Sequence, residues 1–255
     1  MDDEIKKLQR EAERIASRHK LPDFYLRVRA PMALARRLYH ADPLVARLRS
    51  RVAPLLNEDL GHGLYHCSRV GLDAATLICI ETLASRIERR RAERLMLLGL
   101  FAGLLHDISR GEEKHAEVGA VEAARLLDGF PLHEIEVACI CAAIRNHEAF
   151  TTPAPFLRPW FHLVSDSLYD ADKFRWGRDT FTHTIWHMID HQKVTPRELI
   201  TRFPWGMTGI LRIRETFRST TGRHFGPQII ETGMDIGKEI YHYLRQRYPD
   251  DAPAQ

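Results

Sequence analysis

The chain has 255 residues, 44% hydrophobic and 28% charged, enough to bury a sizeable core in one or two domains. Its 37 Lys and Arg nearly balance 34 Asp and Glu, for a net charge of +3, and with no long basic block nucleic acid is not a default partner. Charge interrupts every apolar run short of the ~18 residues that a membrane span requires.

Taken in order, almost every segment carries helical period, and strand alternation, repeats and low-complexity tracts are absent. "DDEIKKLQREAERIASRH" is amphipathic, with acid at its front and base at its back to suit the helix dipole, and reads as a helix rather than a secretory signal. "PMALARRLYH" follows, then "DPLVARLRSRVAPLL", which opens on an Asp cap with Pro in the first turn. Next come "LYHCSRVGLDAATLICIETLASRIERR" and "RAERLMLLGLFAGLLHD". "EKHAEVGAVEAARLLDG" closes on a C-cap glycine, and "PLHEIEVACICAAIRNHE" and "LRPWFHLVSDSLYDADKF" continue the pattern. Breakers predict loops at 151–159 ("TTPAPFLRP") and 221–227 ("TGRHFGP"), and "RFPWGMTG" (202–209) reads as a loop lid or an interface.

The fold class expected is all-α, a single-domain helical bundle. Residues 1–58 form an N-terminal helical cover, 59–250 the functional domain and 251–255 a frayed tail. Cys67, Cys79, Cys139 and Cys141 lie in apolar or helical segments without a CxxC pair, so they read as buried free thiols, and a reducing cytoplasm fits best.

The chemistry gathers around "LLHDISRG", where His106 and Asp107 end an apolar run that should be buried. An isolated pair of this kind is more often a core histidine bonded to an aspartate. This pair has company: His62 and His66 share one helix face, Asp170 and Asp172 stand near a helix end, and His115 and His147 each adjoin a glutamate. The ordered set "HCSRV" (66–70), "LLHDI" (104–108) and "ADKF" (171–174), with "HAEVGAVEAARLL" and "AIRNHE" between, resembles the HD-domain superfamily of metal-dependent phosphohydrolases over residues 58–178. That resemblance implies His66, His106, Asp107 and Asp172 as metal ligands, with His62 the rival of His66 and Asp170 the rival of Asp172. Ser109-Arg110 stands where the family often has Gly-Lys, and Arg175 where an acidic residue is common; both departures fall where substrate is contacted.

Two imidazoles and two carboxylates suit one divalent ion, whether Mn, Fe, Co, Mg or Zn. Such an ion draws the pKa of bound water toward ~7 and polarises a phosphoryl oxygen. Arg69, Arg110, Arg145 and Lys173 are the candidate cations for substrate, with Arg110 favoured. His115 and His147 are candidates for binding phosphate, and His115 for protonating a leaving group. The short stretch from His106 to His115 favours a single ion over two. Glu112 and Glu113 read as a solvated loop, and the stripe His183, His187, His191 as a partly exposed helix face with aromatics turned inward.

The function implied is metal-dependent hydrolysis of a phosphate ester or anhydride, with the nucleotide preference taken from the family. No P-loop is present, which disfavours a kinase or an ATP-driven motor. The alternatives are a di-iron oxygenase of the same fold, which needs His115 and His147 as further iron ligands, and a non-catalytic metal or nucleotide sensor. The expected partner is a small phosphate-bearing molecule, with no membrane and no evident nucleic-acid surface; homodimerisation stays open.

Overall fold

The computed structural model describes residues 1–56 and 61–249. Among these residues all regular structure is helical: α1 (Asp3–Ser17), α2 (Asp23–Arg27), α3 (Arg29–Ala41), α4 (Pro43–Val52), α5 (Leu64–Ala84), α6 (Arg89–Leu105), α7 (His115–Leu126), α8 (Glu134–Arg145), α9 (Phe161–Phe174), α10 (Ile185–His191), α11 (Pro196–Ile213) and α12 (Thr220–Arg247). The all-α expectation therefore holds. The expected boundary at 58–59 and the tail 251–255 lie outside the described residues. No described helix is long and apolar enough to cross a membrane.

Local chemistry sets the starts that the sequence announces. Asp2 caps α1 through the Glu4 N–H, and Asp42 caps α4 through the Leu44 and Val45 N–H groups, with Pro43 in the first turn. The hairpin of α5 and α6 forms the centre. Every residue from Leu95 to Leu105 is buried, as befits a helix that is apolar all round. Fully burying each large apolar side chain there contributes about 1.5–3 kcal/mol. α3 packs on α5, α4 on α6, and α9 on α5, α6 and α8; α7 pairs with α8, and α12 runs over α9 and α11.

Two glycines bring the central pair together. A Cβ on Gly103 would lie 2.2 Å from the Gly71 Cα, and one on Gly99 would lie 3.6 Å from the Ala75 N, so α5 and α6 are antiparallel in this register. The same register carried one to two turns further sets His66 level with the end of α6, where His106 and Asp107 follow.

Three expectations need correction. The run "LASRIERR" does not continue one helix: α5 stops at Ala84, Arg86 takes φ 53°, and the Glu88 side chain accepts from the Arg90 and Arg91 N–H groups to start α6. Residues 202–209 are not a loop but the middle of α11, which a Thr195–Glu198 capping box initiates. Leu199, Phe203, Ile210 and Ile213 give that helix a buried stripe, while Pro204 sits on its exposed side, where the missing N–H faces water. Residues 221–227 likewise belong to α12. Gly222 packs against the Asp170 carboxylate and Gly226 against the Phe217 ring, at distances that no Cβ would permit. These glycines serve close approach rather than a turn. The expected loop at 151–159 is irregular, as predicted.

Candidate metal centre

Three elements deliver the polar cluster: His66 from the first turn of α5, His106 and Asp107 from the end of α6, and Asp172 from α9. All four side chains are buried, His106 completely. His66 Nε2 lies 3.3 Å from His106 Nε2, 3.7 Å from Asp107 Oδ2 and 3.4 Å from Asp172 Oδ1. His106 Nε2 lies 3.3 Å from Asp107 Oδ2 and 3.8 Å from Asp172 Oδ1. Donors bound at about 2.0–2.2 Å to one divalent ion stand roughly 3.0–3.6 Å from each other, the spacing this set approaches.

Two backbone carbonyls and a glutamate fix which ring nitrogens face inward. His106 Nδ1 donates to the Gly103 carbonyl at 2.8 Å and His147 Nδ1 to the Ile144 carbonyl at 2.6 Å, while His115 Nδ1 reaches Glu148 Oε1 at 3.0 Å. A carbonyl only accepts, so Nδ1 carries a proton and Nε2 is the nitrogen turned toward the cluster. Burial pushes the His66 and His115 imidazoles down to about 4, which keeps both neutral at pH 7. Burial alone would raise Asp107 and Asp172. The neighbouring His106 outweighs it for the first and Lys173, with His66, for the second, so both carboxylates are held well below the usual range. Against burial, Asp107 in turn raises His106 well above its ordinary value.

Asp107 has a second face. Its Oδ1 lies 3.6 Å from His147 Nε2 and 3.9 Å from His115 Nε2, and those two nitrogens stand 3.3 Å apart. This Oδ1 is buried and has no hydrogen-bond partner. His66, His106 and Asp172 thus form one group that can hold an ion, and Asp107, His115 and His147 another, with Asp107 touching both. The chain distance that favoured a single ion is no obstacle. Turns between His106 and His115 fold the chain back so that α7 begins beside the cluster. His62 joins the rim, its ring 4.9 Å from that of His66 and within ligating reach of His66 and Asp107. The donor set and the orphaned oxygen both fit divalent cations.

The neighbouring candidates separate cleanly. Asp170 turns away: its Oδ1 accepts from the Arg218 N–H and its Oδ2 from the Ser219 N–H, both at 2.8 Å, which holds the entry to α12. Asp172 is therefore the member of the pair in the cluster. Lys173 is buried and donates to Asp172 Oδ2 at 2.5 Å, leaving Oδ1 to the histidines. Arg110 stands at the rim, 3.0 Å from His115 Nε2 and 3.6 Å from Asp107 Oδ1. Arg69 faces a different partner, Asp179, at 3.1 Å, and bonds the Tyr65 hydroxyl. Arg145 is exposed in the last turn of α8, with no described contact to the cluster. Glu112 and Glu113 are exposed, and Phe181 and Trp186 are buried beneath the His183–His187 stripe.

Tyr25, Asp73 and Asp179 escaped the sequence reading, and Arg175, expected where substrate is contacted, is instead enclosed by them. Arg175 is buried and donates to Tyr25, Asp73 and Asp179, one turn beyond Asp172. The Arg at the position after "ADKF" was the signal available: it lies in a helix end that must be buried if Asp172 is. No known protein family, curated protein or solved structure matches this chain.

Proposed function

We propose that the chain is a metal-dependent phosphohydrolase of the HD-domain type, acting on a phosphate ester or anhydride, with a nucleotide as the substrate class. The observation that carries this reading is Asp107, whose two oxygens face separate histidine groups, an arrangement suited to divalent ions sharing one carboxylate. A divalent cation bound there supplies Lewis acidity toward the phosphoryl oxygen and lowers the pKa of water.

The chain's own residues do the rest. Arg110, on the open rim beside Asp107, offers a guanidinium fork to the oxygens on which charge develops. His115 is half-buried at the same rim, and burial keeps its imidazole neutral at pH 7, so it offers Nε2 as a donor atom beside Asp107 and His147 rather than a proton to the departing oxygen. Lys173 neutralises the outer oxygen of Asp172 and fixes the carboxylate. The carbonyls of Gly103 and Ile144 hold His106 and His147 in one tautomer, so the site is set before substrate arrives.

The test is phosphate release from a nucleotide panel by chelator-stripped protein, with Mn, Co, Mg, Zn or Fe(II) added singly and Asp107→Ala as the control. Release restored by an ion and abolished by the substitution supports the reading. No release with any ion, from protein that still binds metal, overturns it. A second reading, a di-iron oxygenase, draws on the approach of His115 and His147 to Asp107. Iron in two-to-one stoichiometry together with oxygen uptake would favour it.

A further inference from the structure

Away from the His/Asp cluster, the outward side of α3 borders a groove of about 660 Å³ between that helix and Tyr25 of α2. Arg29, Arg36, Arg37 and His40 line it, with Ala33 leaving room between the first two, and no carboxylate is among its lining residues. All four basic side chains are exposed, whereas Ala35 and Tyr39 on the opposite side of the helix are buried.

These arginines differ from several others on the surface. Arg14, Arg89 and Arg125 each pair with a glutamate one turn away. Arg29, Arg36 and Arg37 have no ion-pair partner among the described residues. Arg29 also opens α3, where no acidic residue offsets it and the helix dipole disfavours a cation. A row of unpaired guanidinium groups with one member set against the dipole is poor design for helix stability, and good design for an anion.

The spacing selects the anion. At 1.5 Å per residue, Arg29 and His40 lie about 16 Å apart along the helix, with Arg36 and His40 about 6 Å apart. A lone phosphate meets one turn of this row; a chain of linked phosphates meets several, and guanidinium forks match phosphoryl oxygens. We propose that the α3 groove binds an oligophosphate chain of three or more phosphates, as a site separate from the metal centre.

The test uses the intact chain with excess EDTA at about 0.15 M salt, where the Debye length of ~8 Å screens diffuse attraction. Calorimetry then measures binding of inorganic tripolyphosphate and of orthophosphate. Tripolyphosphate should bind at least about tenfold more tightly, and an R36A/R37A double variant should lose at least about tenfold, the worth of a charge-assisted contact. R29A, tested alone, should weaken binding in the same direction. R90A/R91A, which removes two exposed arginines from α6, should leave anion binding unchanged, as should R110A at the rim of the metal centre. Equal binding of the two anions, or unaltered binding by R36A/R37A, overturns the proposal. Loss in R110A does so as well, because the anion then sits at the rim of the metal centre. The readout needs neither metal nor turnover, so it stands or falls apart from the hydrolase reading.

Discussion

Two buried polar regions flank the C-terminal half of α9, and they solve the burial problem in opposite ways. Around Arg175 the charges balance: two carboxylates, Asp73 and Asp179, meet two guanidinium groups, Arg175 and Arg69, and the Tyr25 hydroxyl bonds both Asp73 and Arg175. One turn earlier, Asp172 enters a cluster in which imidazole nitrogens face each other at 3.3 Å twice over and a carboxylate oxygen has no hydrogen-bond partner. The neutral His66 and His115 imidazoles and the Asp107 and Asp172 carboxylates offer lone pairs there. Buried polarity that is paired within itself holds helices together, while buried polarity left rich in lone pairs is arranged for a cation.

The sharpest way to break this comparison is Asp107→Ala. Because Asp107 touches both ligand groups, the variant should retain no stoichiometric metal after dialysis against Mn or Zn, measured by elemental analysis. Retention of a full complement would remove the metal centre from the argument. Next in size is Arg175→Met, which strands Asp73 and Asp179 without their buried partner and should cost about 3–5 kcal/mol in chemical denaturation. A loss under 1 kcal/mol would mean that the network is not structural. Third, divalent ion at a hundredfold excess over its dissociation constant should stabilise the parent by about 2.7 kcal/mol and Asp107→Ala by nothing. The smallest effect belongs to a pair outside both regions.

That pair is Arg94 and Glu136, a two-pronged contact with both oxygens engaged. Burial pushes Glu136 up, but Arg94 and the His133 N–H outweigh it, and its pKa lies below the ordinary value. A depressed carboxylate contributes stability that is present above its unfolded pKa and lost as pH falls through the folded one. Glu136→Gln should therefore flatten the acid side of the stability profile below pH 5, by less than about 1 kcal/mol for so exposed a partner. An unchanged acid limb would show that the contact carries no linkage.

The sequence showed the helices whose caps and apolar stripes agree, such as α1 and α4, and it showed the His66, His106–Asp107 and Asp172 set, because each member stands in a motif with a local signature. Four kinds of information lay beyond it. Gly222 and Gly226 look like breakers in one dimension and act as contact surfaces only once Asp170 and Phe217 are opposite. His115 joins Asp107 through a sequence of turns whose path no periodicity encodes. Asp170 and Asp172 differ only in direction, and direction comes from the start of α12, far along the chain. The Tyr25–Asp73–Arg175 network is long-range on every side, so no window of sequence contains it.

The crossing of Gly71 and Gly103 has a consequence for how variation in this chain will be read. The Gly103 carbonyl is also the anchor of His106 Nδ1, so the tightest helix contact and the orientation of a candidate ligand share one residue. In a saturation scan, alanine at 71 or 103 would score like damage to the His/Asp cluster, though neither glycine carries a side-chain donor atom for an ion. Compensation would come in pairs across the two helices, leaving a covariation signal that marks the packing ancestry of the centre rather than its chemistry.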